Sequence, residues 1–436
     1  MDEHLADILR SVRPLEPIEL QLLDAQGCVL VEDVTVPTAL PPFDNSSMDG
    51  YAVRTADVEG ASDEFPVVLT VVGDVAAGTA DLPVVGPGEA ARIMTGAPMP
   101  PGAEAVVPVE WTDGGIGRGP AATMRAHSSA PEDAGGEVRV HRPVQDRQYV
   151  RARGSDVSAG DLALEAGTVL GPPQIGLLAA IGRGSVKVRP RPRVVVMSTG
   201  SELVQPGEPL GPGSIHDSNS FALTAAARDA GAIVYRVGAV ADDAETLRST
   251  IEDQLIRSDI IVTSGGVSVG AYDVVKEALS QIDGESGSVE FRKLAMQPGK
   301  PQGFGFIGEG RGGEGGGTAD RTPLLALPGN PVSSYVSFEL FVRPAIRTLM
   351  GLPQVERETV RAKVDAALTS PAGKRQFLRG RYTPPARGET LGSVSPVGGS
   401  GSHLVASLAH ADSLIVVPED ATAVASGQEL DVLLLG

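Results

Sequence analysis

The chain has 436 residues, too many for one compact core, so two to four domains are expected. A formal net charge of −19 argues against general affinity for nucleic acid or anionic lipid, though local donors can still hold a small anion. The single cysteine, Cys28, excludes an intrachain disulfide and a cysteine-cluster zinc site, and it fits a reducing compartment. The start, Met1-Asp2-Glu3-His4, lacks the basic and apolar regions of a signal peptide. No apolar run reaches the ~18 residues of a membrane span, so a cytoplasmic protein with no membrane association is expected.

Residues 5–24 place Leu5, Ile8, Leu9, Val12, Leu15, Leu20 and Leu23 at helical spacing, with breaks at Pro14 and Pro17. Residues 28–36 read as a strand. From Pro37 to about Val150 the pattern is all-β, with Val-rich runs at 67–72, 105–109 and 137–140, and 113–136 reads as loop. Short strands continue over 148–175, and Ile175–Ile181 reads as helix. Strand-like runs then appear at 194–197, 233–237, 260–263, 294–296 with 304–307, and 324–327. Helical patterns occupy 220–230, 244–257 and 273–281. This alternation predicts a mostly parallel sheet with helices on both faces, whose ligands sit outside the strand ends. The glycine- and charge-rich 308–320 stretch reads as a surface hairpin tip, 332–349 as a helix, and 358–436 as a small β-domain.

Four loops in the second half carry the chemistry: Ser198-Thr199-Gly200-Ser201-Glu202, Ser264–Gly270, Gln297-Pro298-Gly299-Lys300-Pro301 and Pro328-Gly329-Asn330-Pro331. Each follows a short apolar run. Small residues there let backbone N–H groups face a ligand, and a following helix start favours anions. Together they point to one large phosphate-bearing ligand. Ser264–Gly270 lacks the Gly-Lys-Ser/Thr ending of a P-loop and is not G-x-G-x-x-G, so a tight strand–helix turn competes as its explanation. Glu202 and Asp273 can share a Mg²⁺ with substrate phosphate, since magnesium often takes one or two carboxylates plus phosphate. An exposed acid and a helix cap are the plainer alternatives. Capping also competes at Asp217-Ser218-Asn219 and at Asp242-Asp243. Lys293 and Lys300 flank the third loop and can attract oxyanions as point charges. The segments around Asp49-Gly50 and Thr95-Gly96 read as turns. The six histidines show no metal-ligand spacing, which disfavours a zinc site or a Ser-His-Asp triad.

These residues resemble the molybdopterin molybdotransferase family of molybdenum cofactor biosynthesis, to which the gephyrin E domain also belongs. The matching strings are Phe43–Val53, Ile93–Pro98, Gly154-Ser155-Asp156, Ser198–Leu203, Ser264–Asp273, Pro298–Pro301, Leu327–Ser333, Gly401–Leu404 and Leu414–Glu419. They span nearly the whole chain in the family's order. The resemblance implies a multidomain α/β plus β protein with a central three-layer pterin-phosphate-binding domain, two N-terminal β-rich domains and a small C-terminal β-barrel-like domain. The limits it implies are 1–18 for a helical segment packed on the α/β domain, 19–44 with 147–174 for an elongated linker domain, 45–146 for an inserted β-domain, 175–351 for the α/β domain, and 352–436 for the last.

The resemblance further implies a homodimer with its site at the subunit interface. Asp49, Thr95, Asp156, Glu202, Asp242, Asp273, Lys293 and Lys300 match the family's catalytic positions, and Glu202 with Asp273 the metal positions. Substrate contacts fall to Ser198, Thr199, Gly200, Ser264, Gly265, Gly266, Ser268, Gly270, Pro298, Gly299, Pro328, Gly329, Asn330, Pro331, Arg375 and Ser402. Ser201 and Gln297 depart from the family pattern, where an acid and a lysine are common. Arg375 and Arg379 are candidates to make up for that lysine. The implied reaction moves molybdenum from molybdate into adenylylated molybdopterin with release of AMP, assisted by Mg²⁺ (or Zn²⁺). The implied partners are a molybdopterin adenylyltransferase and acceptor molybdoenzymes. The alternatives are adenylylation of molybdopterin itself, or a scaffold of the gephyrin type.

Overall fold

The computed structural model describes residues 1–117, 121–124, 136–241, 243–266, 275, 277, 278, 289–308 and 321–436. At its centre lies a six-stranded sheet in the order Ile233–Val240, Arg193–Thr199, Ile260–Ser264, Thr322–Leu327, Pro301–Ile307, Glu290–Lys293. The first four strands are mutually parallel, Pro301–Ile307 runs antiparallel to them, and Glu290–Lys293, antiparallel to Pro301–Ile307, regains the direction of the first four. Strands buried on both faces lose polar alternation, and their side chains divide between two cores. Val194, Val196, Ile260, Val262, Leu325 and Leu327 enter one core with Leu223, Val332, Val336 and Ile346 from three helices. Val195, Met197, Ile261, Leu324 and Ala326 enter the other with Leu247 and Ile251 of the helix Ala244–Leu255. The domain therefore has three layers.

The N-terminal helix Asp2–Ser11 docks Ile8 and Val12 on the first of these cores. The helix ends at Ser11, ahead of the expected breaks at Pro14 and Pro17. Ile18–Gln21 is instead a strand, paired with Ser185–Val188. The expected strand over 28–36 is two short strands, Val29–Leu30 and Val34–Thr35, interrupted where Asp33 accepts the Ala166 N–H at 2.8 Å. A five-stranded sheet, Ala105–Pro108, Gly50–Val53, Glu89–Ile93, Val67–Val75, Glu137–Val140, forms the inserted β-unit around its own core.

The C-terminal strands Arg375–Thr383, Gly392–Pro396, Thr359–Val364, Glu429–Leu434 and Ser413–Val417 close into a barrel, because the first also pairs the last. The closing strand Glu429–Leu434 was absent from the sequence reading. The run at 294–296 is not one strand of the α/β sheet: Glu290–Lys293 belongs to it, whereas Met296–Gln297 leaves to pair with Arg375–Gln376 of the barrel. The chain thus stitches the two domains together beside the third loop. The helical pattern expected at 273–281 lies almost wholly outside the described residues. So does nearly all of the 308–320 hairpin tip, whose flanking strands pair with Ile307 opposite Thr322.

Candidate active site

Three of the four loops leave the carboxyl ends of adjacent parallel strands, at Thr199, Ser264 and Leu327. The third loop follows the carboxyl ends of Glu290–Lys293 and Met296–Gln297, as expected, and leads into the amino end of Pro301–Ile307. That strand is antiparallel to Thr322–Leu327, with Gly303 opposite Ala326, so its start reaches the same sheet edge. All four loops share one edge, but through two strand directions.

The loops touch. Gly265 has φ +104°, and a Cβ there would stand 2.5 Å from the Thr199 carbonyl oxygen, so only glycine permits this approach. Gly265 N–H donates to the Leu327 carbonyl at 3.1 Å. Asn219, at the start of the helix Asn219–Asp229, joins two loops with one amide. Its Nδ2 donates to Ser264 Oγ at 2.7 Å and to the Gly329 carbonyl at 2.7 Å. Asp217 is fully buried and accepts from the Ser220 N–H at 3.0 Å and the Ser220 hydroxyl, so capping explains it. Gln302 fixes the third loop, donating to the Gly299 carbonyl at 2.7 Å and to Ser337 Oγ at 2.6 Å.

These contacts frame two cavities. One of about 630 Å³ is lined by Thr199, Gly200, Glu202, Asn219, Ser264, Gly265, Gly266, Gly329, Asn330 and Pro331 among others. The other, about 580 Å³, is lined by residues 296–301, Pro328, Gly329, Asn330, Ser333, Lys374 and the barrel loop 400–403. Gly329, Asn330 and His403 belong to both, so the two form one cleft. Its wall carries Thr199, whose buried hydroxyl, like that of the preceding Ser198, has no hydrogen-bond partner among the described residues. Orphaned buried donors are costly, and an oxygen-rich ligand would satisfy them.

Lys300 lines the second cavity, and Lys293 sits beside it, exposed, opposite Pro301 in the sheet. Glu202 is exposed on the wall of the first. Asp242, Ser268, Gly270 and Asp273 lie outside the described residues. Among the described residues no group of three or more His, Cys, Asp or Glu forms a metal cage. Of the two expected metal ligands, only Glu202 lies among the described residues.

Arg375 is not part of the cleft wall. Its guanidinium is held by both oxygens of Asp2, at 2.8 and 3.0 Å, and by Glu419 at 2.9 Å. The arginine fastens the N-terminal helix to the barrel and holds the Asp2 carboxyl below its usual range. Arg379, 2 % exposed, acts behind the wall. It donates to the carbonyls of Gly399 and, at 3.2 Å, Gly401, bracing the loop that carries Ser402 and His403. Burial pushes its guanidinium pKa down.

Asp49 and Thr95 come together in the inserted β-unit. Asp49 Oδ1 accepts from the Thr95 N–H at 2.7 Å and from its hydroxyl at 2.9 Å, and both residues are exposed. Asp44 ties this segment to the stretch leading to Asp156, accepting from the Arg153 N–H at 2.7 Å and Arg147 Nη2 at 2.9 Å. Those bonds hold its carboxyl below the usual range. Asp156 donates its N–H to the Leu40 carbonyl at 3.0 Å. None of Asp49, Thr95 and Asp156 lines either cavity of the cleft in the single chain. Sequence reasoning missed His403 and Lys374 and left Asn219 as a possible cap. Asn219 immediately follows Asp217-Ser218 at a predicted helix start, the one signal that placed it near a strand end.

A three-layer α/β domain with a loop-built cleft, joined to a β-barrel and β-rich N-terminal units, defines a multidomain α/β plus β protein. Residues 1–182 match the MoeA N-terminal region (domains I and II), 195–348 a probable molybdopterin-binding domain, and 361–435 the MoeA C-terminal region (domain IV). Molybdopterin molybdenumtransferase 2 of Mycobacterium tuberculosis is 44% identical over 434 residues, covering 99% of this chain and 98% of that protein. Molybdopterin molybdenumtransferase 1 of the same organism is 39% identical, covering 100% and 98%. The crystal structure of the molybdopterin biosynthesis MoeA protein from Pyrococcus horikoshii matches with a TM-score of 0.69 and 31% identity, over 100% of this chain and 98% of that one. The chain belongs to the MoeA family of molybdopterin molybdenumtransferases.

Proposed function

We propose that this chain is a molybdotransferase that moves molybdenum from molybdate onto the dithiolene of adenylylated molybdopterin and releases AMP. The observation that carries this reading is the convergence of four small-residue loops and the barrel loop 400–403 on one cleft, within a chain alike to molybdenumtransferases over its full length. The adenylyltransferase and scaffold alternatives explain the α/β domain alone. They leave the barrel wall and the Lys300 side of the cleft without a task.

In this reading, backbone N–H groups and hydroxyls of the 199–202, 264–266 and 328–331 loops bind the pyrophosphate. Ser198 and Thr199 supply donors that have no partner among the described residues. Lys300, Lys374 and Lys293 draw molybdate to the other end and offset its charge as Mo–S bonds form. Glu202, with Asp273, would hold a Mg²⁺ (or Zn²⁺) that supplies Lewis-acid polarisation of the pyrophosphate when bound. Substrate contacts from Ser402, Pro298 and Asn330 orient the pterin between barrel and sheet.

The Asp49–Thr95 pair belongs, in this proposal, to the cleft of a second subunit, giving a closed homodimer with two composite sites. The expected domain limits, the cytoplasmic location and the adenylyltransferase and molybdoenzyme partners are part of the same proposal. No helix among the described residues is long and apolar enough to cross a membrane. The test is anaerobic incubation with adenylylated molybdopterin, with and without molybdate, beside a parallel reaction with ATP and unmodified molybdopterin. Molybdate-dependent AMP release supports the proposal, whereas ATP consumption without need for molybdate would support the adenylyltransferase reading.

A further inference from the structure

The side chain where the two cavities meet is His403, which neither composition nor motif spacing marks as functional. On one side it faces the cavity that contains Lys300 and Lys374 with the hydroxyls of Ser333, Ser400 and Ser402. On the other it faces Glu202, His216 and Asp217, of which Asp217 is consumed by its bonds to Ser220. An exposed imidazole here is a donor set between the phosphate-holding and the lysine-bearing halves of the cleft.

The loop that presents it is braced from three directions. Buried Arg379 donates to Gly399 and Gly401 carbonyls. Val332 N–H, at the start of the helix Pro331–Ser337, donates to the Ser402 carbonyl at 3.0 Å. Val405 N–H donates to the carbonyl of His403 itself at 2.9 Å. Gly401 leaves room for the ring: a Cβ there would stand 3.0 Å from its Cε1 and 3.3 Å from its Nδ1. An imidazole merely at the surface needs neither a buried arginine beneath its loop nor a glycine beside its ring.

We infer that His403 is a substrate-contacting residue of the transfer: a ring N–H donates to a tetrahedral oxyanion at the junction of the cleft. The oxyanion is either molybdate or a phosphate of the adenylylated pterin, which share the chemistry of a tetrahedral centre with anionic, hydrogen-bond-accepting oxygens. This inference rests on the proposed molybdotransferase reading. The lysines beside it supply the remainder of the attraction.

The test compares the full-length protein with H403Q and H403R. Two quantities are measured between pH 6 and 8.5: the molybdate concentration giving half the maximal rate of AMP release, and the affinity for adenylylated molybdopterin in the absence of molybdate. Loss of a charge-assisted hydrogen bond corresponds to about tenfold or more. If the anion is molybdate, H403Q raises the half-saturating molybdate about tenfold and leaves the pterin affinity unchanged. If it is a phosphate, the pterin affinity falls instead. In either case H403R recovers most of the loss. Unchanged values in H403Q, or an H403R protein as impaired as H403Q while unfolding at the wild-type temperature, would overturn the inference. If the wild type itself shows no molybdate-dependent AMP release, the proposed reaction fails. The affinity for adenylylated molybdopterin, and for molybdate alone measured calorimetrically, still decides whether His403 contacts an oxyanion.

Discussion

Asn219→Asp is the most informative single perturbation of the cleft. The change is nearly isosteric, yet it replaces the Nδ2 donor that serves both Ser264 Oγ and the Gly329 carbonyl with a carboxylate oxygen. Each lost hydrogen bond costs about 1 kcal/mol. Ser264 is 1 % exposed and keeps a 3.3 Å contact from Ser334 Oγ, while Gly329 is exposed and water can reach its carbonyl. Global stability should therefore fall by only about 1–2 kcal/mol. The effect on turnover should be larger. The 264–266 and 328–331 loops lose their shared tether, a new negative charge faces the phosphate site, and a displacement near 1 Å in a positioned site costs on the order of 100-fold. Urea unfolding and single-turnover AMP release on the same preparation separate the two effects. A variant that loses the predicted stability but turns over at the wild-type rate would refute the idea that Asn219 sets loop geometry. Asn219→Ala, which removes the donor without adding charge, should be impaired less than Asn219→Asp.

Other expectations concern the supports of the cleft and the docking of its neighbours. Arg379→Met removes the brace from the 399–401 carbonyls, which are near solvent, and should cost about 2 kcal/mol in urea unfolding with a reduced turnover. Wild-type turnover in that variant would detach Arg379 from the site. His4 is 2 % exposed, packed edge-on to Phe341 with ring centroids 5.0 Å apart, and burial pushes its pKa down to about 4. The unfolded chain therefore binds more protons between about pH 4 and 6.5 than the folded one, and the stability present above pH 6.5 is lost as pH falls through that window. His4→Leu should remove that part of the pH dependence, worth up to about 3 kcal/mol, and an unchanged profile would contradict the assignment. Finally, chains carrying Asp49→Asn and chains carrying Glu202→Gln should each be inactive as pure dimers. Randomly mixed, they should recover about a quarter of wild-type activity, since half the dimers then hold one intact composite site. No recovery on mixing would argue against a site shared between subunits.

The parallel core strands were legible because β-branched runs buried on both faces leave no polar alternation, as at Val194–Met197 and Ile260–Thr263. The small-residue loops at their ends were legible for the same reason that they work: glycine is needed where backbones approach, as Gly265 approaches Thr199. What escaped was non-local. The start of the Pro301–Ile307 strand reaches the cleft only because the strand runs antiparallel to its neighbour, and no local pattern encodes that direction. Met296–Gln297 joins the barrel rather than the sheet because its partner, Arg375–Gln376, lies some eighty residues onward. Arg375 looked available for substrate, but its partner Asp2 comes from the far end of the chain. His403 had no helical or metal-ligand spacing to betray it, since its position depends on a brace from Arg379 and a hydrogen bond to the start of another domain's helix. The breaks at Pro14 and Pro17 were legible, but that Ile18–Gln21 forms a strand was not, because its partner Ser185–Val188 lies far along the chain.

The central claim is that one cleft couples molybdenum insertion to cleavage of the adenylylated pterin. It is tested most directly by measuring, in a single anaerobic reaction of the purified protein, AMP released and molybdenum bound to the pterin product. The account predicts that both appear together in equal amounts, that neither appears without molybdate, and that Asn219→Asp slows both equally. AMP release that proceeds without molybdenum entering the product, or molybdenum entering while the pyrophosphate stays intact, would contradict it.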